Sequence, residues 1–140
     1  MRKISLLLVS FLLLVSLCGC KFIKESSEYT RNTTEEFFSY ISQNDYFNAK
    51  NLLHPDSYPS KDTLEFYILG IEGSYDIDFS DGVIIKSSKE FSFTGYTSEF
   101  GGSTYEVTYS VTISGKKLDL YVFLLKNDNG NGIYRFTLEV

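Results

Sequence analysis

What is scarce in this chain narrows its chemistry before any motif is read. It has no tryptophan, one histidine, one methionine and two prolines, and its two cysteines, Cys18 and Cys20, stand one residue apart near the start. Cysteines so placed give no disulfide framework. Basic residues are outnumbered, 13 Lys and Arg against 18 Asp and Glu, for a formal net charge of −5, which excludes nucleic acid and other polyanions as partners. The longest apolar run, Ile4 to Leu17, is shorter than the ~20 residues that a bilayer span needs. Aromatic rings are abundant: 12 Phe and 11 Tyr. Each buries a large area, so stability is expected to come from packing in an aromatic and aliphatic core.

The run follows a basic start, Met1-Arg2-Lys3, in the charge-then-hydrophobe order of an export signal. Leu17-Cys18-Gly19-Cys20 closes it, with Leu at −3, small Gly at −1 and Cys at +1. This resembles the lipobox of bacterial lipoproteins. The resemblance implies a signal peptide over 1–19, a thioether-linked diacylglycerol on Cys20, and a protein anchored through that lipid to the extracytoplasmic face of the cell membrane. Cys18 is excluded as the acceptor because Leu17 at its −1 position is too bulky. Cleavage before Cys20 would leave 121 of the 140 residues, enough for one domain, and losing Arg2 and Lys3 would take the net charge to −7. With Cys20 consumed, the remaining chain has no disulfide, no thiol catalysis and no cysteine-ligated metal.

Residues 20–32, rich in charge and serine, read as a flexible tether with a reach of roughly 20 Å. Thr33-Thr34-Glu35-Glu36 has the form of a capping box and opens a domain over 33–140. Phe37, Phe38 and Ile41 give its first helix an apolar face, Asn44-Asp45 interrupts the pattern, and Phe47, Ala49, Leu52 and Leu53 supply a second, shorter helix. Pro55 and Pro59 close that unit. Ser60 can cap a third helix carrying Leu64, Tyr67, Ile68 and Ile71, which Gly70 and Gly73 are expected to end.

From Gly82 the period changes to alternation. Val83-Ile84-Ile85, Phe91 and Phe93 precede Tyr105, Val107, Tyr109, Val111 and Ile113, which alternate with Glu106, Thr108, Ser110 and Thr112 as in a half-buried antiparallel strand. Ser114-Gly115 is hairpin material, Leu118 to Leu125 is apolar on both parities, and Asn127 to Gly132 turns the chain into Tyr134, Phe136, Leu138 and Val140. Helices first and a meander afterwards predict an α+β domain, helices packed on a curved antiparallel sheet. The order Phe37-Phe38, Asn44-Asp45-Tyr46, Ala49, Leu52-Leu53, third helix and hairpin-rich sheet resembles the NTF2-like cone, which small Gram-positive lipoproteins often carry. That resemblance implies a cone lined by Phe37, Ile41, Tyr67, Tyr105, Tyr109, Phe123 and Phe136.

Sites with chemistry are few. His54-Pro55-Asp56 matches the J-domain triplet but lacks the basic helix before it, so His54 is read as ending a helix. NTF2-like enzymes pair a buried acid or histidine with tyrosines, and no acid pairs visibly with His54, so no catalytic residue is assigned. Asn127, Asn129, Asn131 and Gly132 fall at positions one, three, five and six of an EF-hand-like loop, yet Asp at the first and Glu at the twelfth are missing, and a tight turn explains the same letters. The acidic stretch Glu72 to Asp81 leaves calcium binding open. Gly-rich Ser92 to Tyr105 could form a wide hairpin end exposing Tyr96 and Phe100 as a contact surface. The expectation is a non-catalytic, lipid-anchored binding module without cofactor or resident metal, whose partner is an envelope protein or a small apolar ligand. A small enzyme with a cone pocket and a structural subunit of an envelope complex are its rivals.

Overall fold

The computed structural model describes the backbone of residues 2–140 and the side chains of 19–140. The expected leader therefore falls outside the described side chains up to Cys18, and Cys20 is the first candidate site residue within them.

The first element, α1 (Arg2–Ser42), corrects the expectation of a coil spacer over 20–32. Ion pairs at i,i+4 line its solvent side: Lys21 with Glu25 at 3.8 Å, Lys24 with Glu28 at 3.9 Å and Arg31 with Glu35 at 2.7 Å. Each such pair adds only about 0.2–0.5 kcal/mol, so packing decides. Ser26, Thr30 and Thr34 form a buried stripe, the threonine hydroxyls donating to the carbonyls of Ser26 and Thr30, and Tyr29 meets Tyr105 edge-on at 5.6 Å. Small polar residues thus face the sheet, where an apolar pattern would have signalled a helix. Thr33 to Glu36 lie within the helix, not at its start.

Asn44, with φ of 54°, turns the chain after α1, and the Asp45 carboxylate accepts from the Asn48 amide to cap α2 (Tyr46–Asn51), as Asn44-Asp45 predicts. The third helix, α3 (Leu64–Tyr75), begins one turn after Ser60 and runs through Gly70 and Gly73 to a left-handed Asp76. The two glycines therefore do not end it. Helix glycines lower stability without forbidding the conformation, and Leu64, Ile68 and Ile71 carry it through by packing inward.

Four strands follow, β1 (Ile84–Thr97), β2 (Gly102–Ile113), β3 (Lys116–Asn127) and β4 (Gly130–Glu139), paired in that order as an antiparallel meander. Ser114 and Gly115, both at positive φ, make the two-residue hairpin between β2 and β3. Phe123 pairs Arg135 while Leu124 pairs Ile133, so Tyr134 is an extra residue in β4, and with the register shifts of β1 this bulge curves the sheet. The result is α+β, helices followed by a curved, open antiparallel sheet.

Both sheet edges are managed. The Arg31 guanidinium donates to the Ile85 and Lys86 carbonyls of β1. Along β4, the 52–58 segment pairs in parallel through His54 N to Ile133 O and Ile133 N to Leu52 O, and further along the Tyr67 and Tyr75 hydroxyls donate to the Phe136 and Leu138 carbonyls. Gly132 is obligatory here: its φ is +144°, and a Cβ would lie 2.5 Å from the Leu52 carbonyl oxygen.

Candidate functional site

Three surfaces could work chemically: the concave interior, the outer sheet face, and the solvent side of the helices. In the interior, Phe37, Ile41, Tyr109 and Phe136 are each 0–2% exposed. Phe37 meets Phe136 at 5.2 Å, Tyr67 meets Phe136 at 5.2 Å, and Phe38 joins them from α1. These predicted lining residues are brought together, but as core filling core. Burial pushes the Tyr109 hydroxyl up to about 12, and desolvation raises Tyr29, Tyr67 and Tyr105.

Phe123 does not belong to this set. Val122 pairs Phe136 and Phe123 pairs Arg135, so Phe123 stands on the opposite face, beneath the Arg135 guanidinium at 5.6 Å. There it joins Phe100 at 5.2 Å and Tyr134 at 5.6 Å in a small second core that also takes in His54. His54 is fully buried: Nδ1 accepts the Asp56 amide proton at 3.0 Å, which leaves Nε2–H to donate to Asn127 Oδ1 at 3.0 Å. Both ring nitrogens are spoken for, and the His-Pro-Asp triplet is explained as a joint between the 52–58 segment and the β3–β4 turn. Asn127 also donates to the Phe100 carbonyl and accepts from the Asn129 amide, and Asn129 donates to Asp56, so these asparagines tie loops together.

The acids from Glu72 to Asp81 diverge to separate partners. Glu72 accepts from Phe79 N, Asp78 from Ser80 N, Asp81 from Ser114, and Asp76 from Lys116, whose ammonium holds that carboxyl below its usual range. Among the described residues no three His, Cys, Asp or Glu side chains gather as ion ligands.

The outer sheet face is polar. A hollow of about 500 Å³ over β1–β3 is bordered by Lys89, Phe91, Ser92, Glu106, Thr108 and Tyr121, with Lys89 held to Asp119 at 2.6 Å. The β1–β2 hairpin stays paired to Thr97 and Gly102, with a register shift between Thr94 and Thr97, so it is a closed hairpin where a wide loop was considered. Its two candidate contact residues part company: Phe100 returns to the second core, and Tyr96 stays exposed.

The solvent side of the helices holds what the sequence reading missed. Phe47 on α2 and Phe66 on α3 are 79% and 80% exposed, and Tyr58 and Leu69 are exposed as well. Tyr58 and Phe66 border one shallow hollow. On α3, Phe66, Leu69, Gly70 and Gly73 follow a helical stripe, with Asp62 in the turn before it, and a Cβ added at either glycine would meet no atom within 4 Å. The signal was present: LEFYILGI is apolar on both sides of a helix, and a helix with one packed side leaves the other bare.

Cys20 is a free, exposed residue on α1, beside a groove with Ile23, Lys24 and Phe91. No helix among the described residues is long and apolar enough to cross a membrane. No family model, curated protein or solved structure matches the chain.

Proposed function

We propose that this chain is a lipid-anchored interaction module: a filled, NTF2-like α+β domain held by Cys20 at the extracytoplasmic face of the membrane, which docks a neighbouring envelope protein on the outer side of α3. The reading is non-catalytic. The observation that carries it is the bare α3 stripe. Phe66 and Leu69 lie open to water, and Gly70 and Gly73 each cost about 0.5–1 kcal/mol in a helix with no positive φ and no internal neighbour to require them. A partner backbone approaching closely accounts for both. Asp62 and Glu65 at the rim select an apolar segment flanked by Lys or Arg, and oppose a second acidic copy of this chain. Anchoring rests on the Leu17-Cys18-Gly19-Cys20 motif and on the exposure of Cys20.

A filled interior weighs against the small apolar ligand and the cone-pocket enzyme, since Phe37, Tyr109 and Phe136 occupy the space either would need. A photo-crosslinking residue at position 66 in the membrane-anchored chain tests the docking side against position 137 on the outer sheet face. One discrete envelope adduct from 66 and none from 137 is the expected result. Adducts from 137 alone, or self-adducts of the chain, would overturn the assignment.

A further inference from the structure

The membrane-proximal end carries a second feature. The first described turns of α1 lie over the far end of β1: Phe22 packs edge-on to Phe93 with centroids 5.0 Å apart, and Phe22 and Tyr96 border the same hollow of about 460 Å³. Phe22, Ile23 and Tyr96 nevertheless remain 49%, 55% and 69% exposed. Cys20 opens onto the adjoining groove with Ile23. Because 20–32 is helix packed on the sheet, the attachment point cannot swing away from this aromatic tip.

We propose that Phe22, Ile23 and Tyr96 form a membrane-docking tip that rests in the headgroup layer of the bilayer and fixes the domain's orientation. The inference deepens the anchoring reading and rests on it. Its occupant follows from continuity: a lipid on Cys20 would bring the bilayer to residue 20, and the tip adjoins that residue. The chemistry fits an interface, where aromatic rings settle at headgroup level and lysine stems extend toward water, as exposed Lys21 and Lys24 can. Glu99 and Asp128 at the same end, with the acidic net charge, make this contact apolar and not dependent on anionic lipid.

The absence of tryptophan makes the test clean, since one introduced indole reports alone. Full chain carrying Tyr96→Trp, purified from membranes and reconstituted in phosphatidylcholine vesicles with acyl chains brominated near the headgroup, is compared with Ile84→Trp. Ile84 is exposed at the other end of the same strand, roughly 40 Å away for twelve residues of extended chain. The indole at 96 should be blue-shifted and lose more than about half its emission, while that at 84 loses little. Equal quenching at the two positions in protein that floats with the vesicles would overturn the docking tip and leave the anchor standing. Flotation of the parent chain against Cys20→Ser reads the anchor separately. A parent chain that stays with the unbound fraction would refute the anchor, and the docking tip with it.

Discussion

Helices α1 and α3 pack on the same side of the same sheet, yet their solvent sides are opposites. Inward, α1 offers Phe37, Phe38 and Ile41, and α3 offers Leu64, Ile68 and Ile71, all buried in one core. Outward, α1 presents Lys21, Lys24, Glu25, Glu28, Glu35 and Ser39, paired along the helix, whereas α3 presents Phe66, Leu69, Gly70 and Gly73. A helix needs only one apolar stripe to hold its place in a fold. The exposed stripe of α3 is not needed to hold that helix in the core, and it is the surface proposed above for docking.

If the inner sides are equivalent, truncating either should be costly and comparable. Phe37→Ala should lower unfolding free energy by about 3–5 kcal/mol and Ile68→Ala by about 2–5 kcal/mol, read from urea denaturation midpoints. A shift below about 1 kcal/mol for either would mean that its helix is not anchored by the core.

Alkaline pH probes the same layer. Tyr109 lies under α1 against Thr34 with its hydroxyl near 12 in the fold and about 10 when unfolded, so the fold favours the neutral phenol. Its contribution is complete below pH 10 and is lost as pH rises from 10 to 12, on the order of 2–3 kcal/mol. Denaturation midpoints should fall across that window, and Tyr109→Phe should flatten the fall. Among the α3 contacts, Tyr67→Phe removes the hydroxyl bonded to the Phe136 carbonyl at 2.7 Å and should cost about 0.5–1.5 kcal/mol.

The outer sides should separate the two helices by the smallest stability effects. Gly70→Ala and Gly73→Ala should each stabilise the isolated protein by about 0.4–1 kcal/mol, since nothing opposes the added methyl. Destabilisation by either would show that α3 needs its glycines for folding, and the contrast with α1 would lose its functional meaning.

The sheet was legible because alternation from Tyr105 to Ile113 and a Ser-Gly turn leave few alternatives, and the break at Asn44-Asp45 was legible because both residues suit a turn and a cap. Three features escaped. Residues 20–32 fold against the sheet through Ser26 and Thr30, whose polarity hides a packed stripe that Thr34 continues. Gly70 and Gly73 read as a stop signal because propensity is local, while the packing of Ile68 and Ile71 is not. Phe123 changed sides because β3 is apolar on both parities, and only the strand pairing with β4 decides which face it takes. The letters Leu17 to Cys20 bear only on the proposed anchoring, while the exposed side of α3 emerged only once burial separated its two apolar sides.

The central claim is that the bare side of α3 is a working surface. The most direct measurement is the yield of the position-66 crosslink in the chain carrying Gly73→Leu, at an exposed position where an added Cβ meets no atom within 4 Å. The account predicts that the adduct falls by roughly tenfold or more, about 1.4 kcal/mol of docking energy, with the fold intact. An undiminished adduct in a correctly folded chain would contradict it.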